Sequence, residues 1–149
     1  MNNTLNDFIK NINSEHHATA AGSAMHGVMH NIRVLADGTL VGDSAIISRI
    51  QSRPDIARFF AVKSRPEVPV AGVVNGHFIS RRIDRLYIDD TTKTVLILDY
   101  KTDINHSVLY DKYVAQLREY ASLMRQIYPD YKIEKYILWL HDWSLEQIK

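Results

Sequence analysis

Residues 95–103, VLILDYKTD, set Asp99 and Lys101 two apart at the end of the apolar run Val95, Leu96, Ile97 and Leu98. Charged groups at the end of a buried strand need a partner or a function. Residues i and i+2 of a strand share a face, so Asp99 and Lys101 point one way and Tyr100 the other. Asp84, in RRIDRLYI, is a second acid within a strand-like segment. Suppose an even loop, Thr91-Thr92 or Asp90 to Lys93, closes a hairpin between the two segments. Asp89 then pairs with Thr94, and the same count sets Asp84 opposite Asp99. Opposed side chains have Cβ atoms about 5 Å apart. Two carboxylates that close repel each other unless a cation neutralises them. Their oxygens suit Mg²⁺ or Mn²⁺; arginines at a sheet margin would serve as well.

Other residues invite a chemical reading beside a structural one. His26 and His30, in HGVMH, share a helix face, as two zinc ligands do. The metalloprotease pattern needs Glu directly after the first His, where Gly27 stands, and no third zinc-type ligand stands out. His30 therefore reads as structural. Gln116 and Tyr120 share a helix face with Tyr113 beside an apolar stripe, where a glutamine needs hydrogen-bond partners; alone they read as a cap on a sheet. Glu67 alone is a strand-edge acid. Arg49, Arg53, Arg58, Lys63 and Arg65 face the single acid Asp55 over residues 49–65. Such an excess can track phosphates, though most charge runs are solvated faces.

The elements that must position these groups follow from periodicity. Met25, Val28, Met29 and Ile32 predict a helix over about residues 18–36, with a polar arm over 1–17 before it. GDSAIISRIQS predicts a second helix capped by Asp43 or Ser44, and RPDIARFFAVK a third with Pro54 in its first turn. From Arg65 the chain turns to β-branched and aromatic residues. PEVPVAGVV, HFISRRIDRLYI and TVLILDYKT predict three antiparallel strands, with turns at Asn75-Gly76 and at Asp89 to Thr92. LYDKYVAQLREYASLMRQIY carries the stripe Val114, Leu117, Ala121, Met124 and Ile127, and Pro129 ends it. YKIEKYILWLH predicts a fourth strand and SLEQIK a short closing helix. The fold class is thus α/β, one domain over 1–149, helical to residue 64 and a helix-covered mixed sheet beyond.

Bulk properties narrow the classes. With 149 residues and 46% apolar content the chain can build a core. A net charge of +1 declares no nucleic-acid binder. Cysteine is absent, which excludes disulfides, thiolate metal sites and cysteine nucleophiles. No apolar run reaches the roughly 18 residues of a membrane span. The first residues lack a signal-peptide pattern, so the expected location is the cytoplasm.

Taken in order, five short motifs resemble those of the PD-(D/E)xK nucleases. GSAMH (Gly22 to His26) is similar to the helical G-[ST]-x-x-H of their RecB-like branch, and EVP (Glu67 to Pro69) to its Glu-x-Pro strand. Asp84 followed by DYKTD (Asp99 to Asp103) resembles the signature itself, and QLREY (Gln116 to Tyr120) the Q-x-x-x-Y helix. The resemblance runs over about residues 20–142 and is greatest to the nuclease domain of AddA helicase–nuclease subunits. It implies a restriction-endonuclease-like core, a small mixed sheet of about four strands flanked by helices (αβββαβ), with extra N-terminal helices. It further implies Mg²⁺ or Mn²⁺ held by His26, Asp84, Asp99 and the Tyr100 backbone carbonyl, with Lys101 orienting or deprotonating water. Gln116 and Tyr120 would contact the lysine region or DNA, Glu67 would orient a ligand, and Arg81 and Arg82 would touch DNA. The implied activity is exonuclease-type hydrolysis of DNA in recombination and repair, leaving 5′-phosphate and 3′-hydroxyl ends.

Two departures matter. Arg81 stands where the family usually has glycine. No G-x-x-x-x-G-K-[ST] loop occurs, so the chain has no ATP site of that kind; it reads as an isolated nuclease domain, a remnant of a split gene or a free-standing relative, with DNA as partner and a helicase subunit or separate helicase chain as a further one. The alternatives are a nuclease-like module that holds DNA or a helicase without cutting, and a zinc hydrolase centred on His26 and His30.

Overall fold

A computed structural model describes residues 22–149; the arm expected over 1–17 and the expected helix start at residue 18 lie outside the described residues. The first helix, α1, occupies residues 22–30 of the described chain. It ends earlier than the expected residue 36. Arg33–Val34 (β1) instead pairs with Leu40–Val41 (β2). The Asp37-Gly38 turn makes this possible: Asp37 Oδ1 accepts from Thr39 N, and Leu35 N donates to Thr39 O. Helix α2, Ser44–Gln51, starts as expected at Asp43, whose carboxylate accepts from Ile46 N at 3.0 Å. The third helix is only Pro54–Ala57 (α3), continued by the 3₁₀ turn Arg58–Phe60.

The main sheet has five strands among the described residues, not the four expected, in the order β3-β4-β5-β6-β7. Arg65–Val74 (β3), His77–Asp89 (β4) and Thr94–Lys101 (β5) form an antiparallel meander. Asn75 and Gly76 both have positive φ (52° and 78°), the geometry of a two-residue hairpin turn. Asp89 pairs with Thr94 across the four-residue loop, as the even count requires. Helix α4, Tyr110–Ile127, then returns the chain so that Lys132–Trp139 (β6) lies parallel to β5. The fifth strand is Ser144–Ile148 (β7), antiparallel to β6, where a closing helix was expected. Leu145 and Ile148 are three apart and read as helical. Trp143 decides otherwise: its φ of 58° closes a tight turn, and Asp142 Oδ1 accepts from Ser144 N. The new strand also covers the edge of β6 that a helix would leave open.

Two apolar clusters sandwich the sheet. One joins Leu117, Tyr120, Ala121, Leu123 and Met124 of α4 to Ile83, Leu86, Val95, Ile97 and Ile137. The other joins Met29, Ile32, Ile50, Ile56, Phe59 and Phe60 to Leu96, Leu98, Tyr100 and Leu138. Fully burying each such side chain contributes about 1.5–3 kcal/mol.

Arg85 is buried in the second cluster with no carboxylate partner among the described residues. It donates from Nε to Tyr100 Oη (3.2 Å), from one terminal nitrogen to Ser64 Oγ (3.2 Å) and from the other to Ile32 O. Its guanidinium also lies 4.4 Å from the Phe60 ring centre. Arg85 thereby ties the chain just after α1 to the strand that carries Asp99 and Lys101. Arg85→Ala would strand these acceptors and open a cavity, so it is expected to cost about 3–5 kcal/mol in urea unfolding. A loss below about 1 kcal/mol would contradict this role.

Candidate active site

The site forms where β4 and β5 part. Their ladder ends at Arg85↔Leu98. One residue further, the Asp84 carboxylate replaces a backbone acceptor, taking a 2.8 Å hydrogen bond from Tyr100 N. Ile83 and Leu86 are three apart, yet both face α4. The two-residue alternation of β4 therefore slips once, at Asp84 and Arg85. The neighbouring strand slips beside it: Pro66 pairs with Arg85 and Val68 with Ile83, while the intervening Glu67 has φ of 49°. The slip lets Asp84 reach both the α1 side of the sheet and Asp99.

On the α1 side, His30 Nε2 lies 3.3 Å from Asp84 Oδ1, and His30 Nδ1 lies 3.0 Å from Glu67 Oε1. His26 packs edge-on to His30, with centroids 5.5 Å apart. One ligand atom each from His26, His30 and Asp84 lie within 4.8 Å of one another. Gly22 allows this helix its close approach: a Cβ there would come within 2.7 Å of Thr102 Oγ1. A cavity of about 710 Å³ opens here, lined by Gly22, Ser23, His26, His30, Thr102 and Asp103 among others.

On the α4 side, Lys101 Nζ stands 2.7 Å from Asp99 Oδ2. The contact is an ion pair off the line of a hydrogen bond, and that buried oxygen has no aligned donor among the described residues. Gln116 Oε1 accepts from Lys101 Nζ at 3.0 Å, and the Tyr113 ring centre lies 4.2 Å from the ammonium. Tyr113 in turn donates from its hydroxyl to Asp103. A second cavity, about 460 Å³, is lined by Arg81, Lys101, Lys112, Tyr113, Gln116 and Glu119.

Electrostatics separate the two aspartates. Burial, then the neighbouring Asp84 carboxylate, push Asp99 up to about 7 against the pull of Lys101. Asp84 is also opposed by burial, but hydrogen bonds from His30 and Tyr100 N hold it below its ordinary value. His30 is raised above 6.5, chiefly by its hydrogen bond to Asp84 and despite burial. The His30 contacts therefore stabilise the fold fully below pH 6.5 and weaken as pH rises through the raised value. A metal on His30 must displace the same proton. If the site takes the Mn²⁺ that the resemblance implies, its affinity rises with pH across that window, with protons released on binding. Calorimetry in two buffers of different ionisation enthalpy measures this release; a pH-independent affinity without proton release would contradict it.

The expected residues fall into three groups. His26 and Asp84 come together with His30 on the α1 side, whereas Asp99, Lys101 and Gln116 meet on the α4 side. Tyr120 instead donates from its hydroxyl to Arg82 O at 3.2 Å, tying α4 to β4 rather than facing a substrate. Arg81 turns to Glu119 (3.0 Å), so it neither crowds the acids nor stands free, and Arg82 is exposed, 3.8 Å from Glu67. The basic run is largely consumed by structure: Arg49 lies over Trp143, Arg53 pairs with Asp55 and Arg58 with Glu134. His30, read as structural, lies between Glu67 and Asp84 and beside His26, a placement the sequence did not reveal. Its spacing from His26 was the available signal; its contact with Asp84, 54 residues later, is one that no local pattern reveals. No protein-family model matches the chain, and no curated protein is significantly similar to it.

Proposed function

We propose that the chain is a metal-dependent DNA phosphodiesterase of exonuclease type, on a restriction-endonuclease-like core, with DNA as its substrate. One observation carries the reading. Two neighbouring carboxylates, Asp84 within β4 and Asp99 near the end of β5, have His26 and His30 on one side and Lys101 on the other. The donor set supports a divalent cation: three ligand atoms cluster at His26, His30 and Asp84, and the Asp99 carboxylate lies beside Asp84. His26, Asp84, Asp99 and the Tyr100 carbonyl would hold Mg²⁺ or Mn²⁺, with His30 added to the expected set. When bound, such an ion supplies Lewis-acid polarisation of water and of the phosphate. Lys101, fixed by Gln116 and Tyr113, would orient the attacking water and stabilise negative charge developing on phosphorus-bound oxygens. Glu67 would keep His30 in register. Membrane chemistry has no support among the described residues, where no helix is long and apolar enough to cross a bilayer.

The test is cleavage of end-labelled single- and double-stranded DNA by the chain with Mg²⁺ or Mn²⁺. Cleavage that chelator stops, that leaves 5′-phosphates and that Asp99→Ala abolishes is expected. No metal-dependent cleavage, or equal cleavage by wild type and Asp99→Ala, would overturn the reading. The first of those outcomes, with DNA binding retained, would favour a holding module. A zinc hydrolase is favoured by one observation, the completed His26–His30–Asp84 set. Metal analysis separates it, because zinc retained through purification with no Mn²⁺ response belongs to that alternative.

A further inference from the structure

We propose that His106, His141 and Asp142 form a second metal site, for Zn²⁺ or a similar nitrogen-seeking divalent transition metal, that clips residues 102–109 to the end of β6. The site does not rest on the nuclease reading. It arises from topology: β5 and β6 run parallel with Lys101 opposite Trp139, and Leu140 N donates to Lys101 O at 2.8 Å. The segments leaving the two strands therefore emerge side by side.

One ring nitrogen from each histidine and one Asp142 oxygen lie within 4.8 Å of one another. His141 Nε2 and Asp142 Oδ2 are 3.4 Å apart. Zinc–nitrogen bonds of about 2.0–2.1 Å give a tetrahedral edge of about 3.3 Å, so this pair already has ligand spacing. Asp142 is oriented for it: Oδ1 accepts from Ser144 N and Ser144 Oγ, which leaves Oδ2 toward the histidines. The His106 ring stacks flat on Trp139, centroids 3.7 Å apart at 9°, and meets His141 edge-on at 5.0 Å. Its Nε2 is buried with no hydrogen-bond partner among the described residues. A desolvated imidazole nitrogen without a partner is costly, and coordination, or the hydrogen bond that sets the tautomer beside it, removes the cost. Two imidazoles and one carboxylate suit zinc better than magnesium, and leave a fourth position for water.

The clip has a consequence for the larger cavity. Thr102, Asp103 and Ile104 line its wall. Ile104 and Val108 are exposed, so their apolar side chains give this segment little anchoring. His106 holds the segment to the sheet through its stacking on Trp139, beside the Tyr113 hydrogen bond to Asp103 from α4. A metal on His106 and His141 would fix that wall in place.

The test is Zn²⁺ titration of the full chain, with Co²⁺ as the spectroscopic probe, beside His141→Gln and His106→Gln. His141 is exposed, so its replacement leaves the core intact, and circular dichroism confirms the fold. Wild type is expected to bind one equivalent more than His141→Gln, with a tetrahedral Co²⁺ absorption band that each variant loses and at least about 100-fold weaker zinc binding at this site. Zinc should protect residues 102–109 from proteolysis in wild type only. Equal zinc stoichiometry in wild type and His141→Gln, or binding only in large excess of metal, would overturn the site.

Discussion

Lys101→Ala is expected to lower the rate of DNA hydrolysis by about 10³-fold while Mn²⁺ affinity at pH 8 stays within a few-fold of wild type. Lys101 is held by three contacts: Asp99 at 2.7 Å, Gln116 at 3.0 Å and the Tyr113 ring at 4.2 Å. None of these neighbours needs the lysine for its own fold position, since Gln116 and Tyr113 lie on α4 and Asp99 on β5. The ammonium is a compact charge aimed at the space beside the acids, which suits a water-orienting or charge-stabilising role. Lys101→Arg should not restore the rate, because a planar guanidinium cannot occupy the place of a point charge in that slot. Single-turnover cleavage with metal binding measured in parallel separates the outcomes. A wild-type rate in Lys101→Ala would remove the lysine from the mechanism.

Asp99→Asn should abolish cleavage and metal-dependent stabilisation yet raise the stability of the metal-free fold. Asp99 has an ordinary value of 3.8 and a folded value of about 7. Between these values the folded state binds more protons than the unfolded state. Stability therefore falls as pH rises from about 4 to about 7, and stays low above that. The penalty is on the order of a few kcal/mol, because a tenfold change in proton affinity on folding corresponds to about 1.4 kcal/mol. Asparagine carries no such penalty. Its urea midpoint should exceed that of wild type at pH 8, and the gap should close toward pH 4. Mn²⁺ should stabilise wild type and not the variant. A variant less stable than wild type at pH 8 would show that the carboxylate is not strained by its neighbour. This is the usual conflict between stability and a functional acid.

The hairpin count placed the two acids correctly to within one residue, because loop parity alone fixes Asp89 against Thr94. It did not reveal the slip at Asp84, which depends on Arg85 finding Ile32, Ser64 and Tyr100 in three distant segments. The α4 stripe and the Asp43 cap were legible because each is local. β7 was not, because its pairing partner and the positive φ of Trp143 outweigh a short helical spacing. The same limit hid His30, whose partners Glu67 and Asp84 lie on β3 and β4. It also hid His106 and His141, which only the parallel β5–β6 pairing brings together.

Anomalous diffraction from crystals soaked in Mn²⁺ tests the central assignment most directly. The expected result is a peak bound by His26, Asp84 and Asp99, with His30 beside it and Lys101 Nζ facing the open side. A peak held only by His26, His30 and Asp84, with Asp99 still paired to Lys101, or no peak at the acids at all, would contradict it.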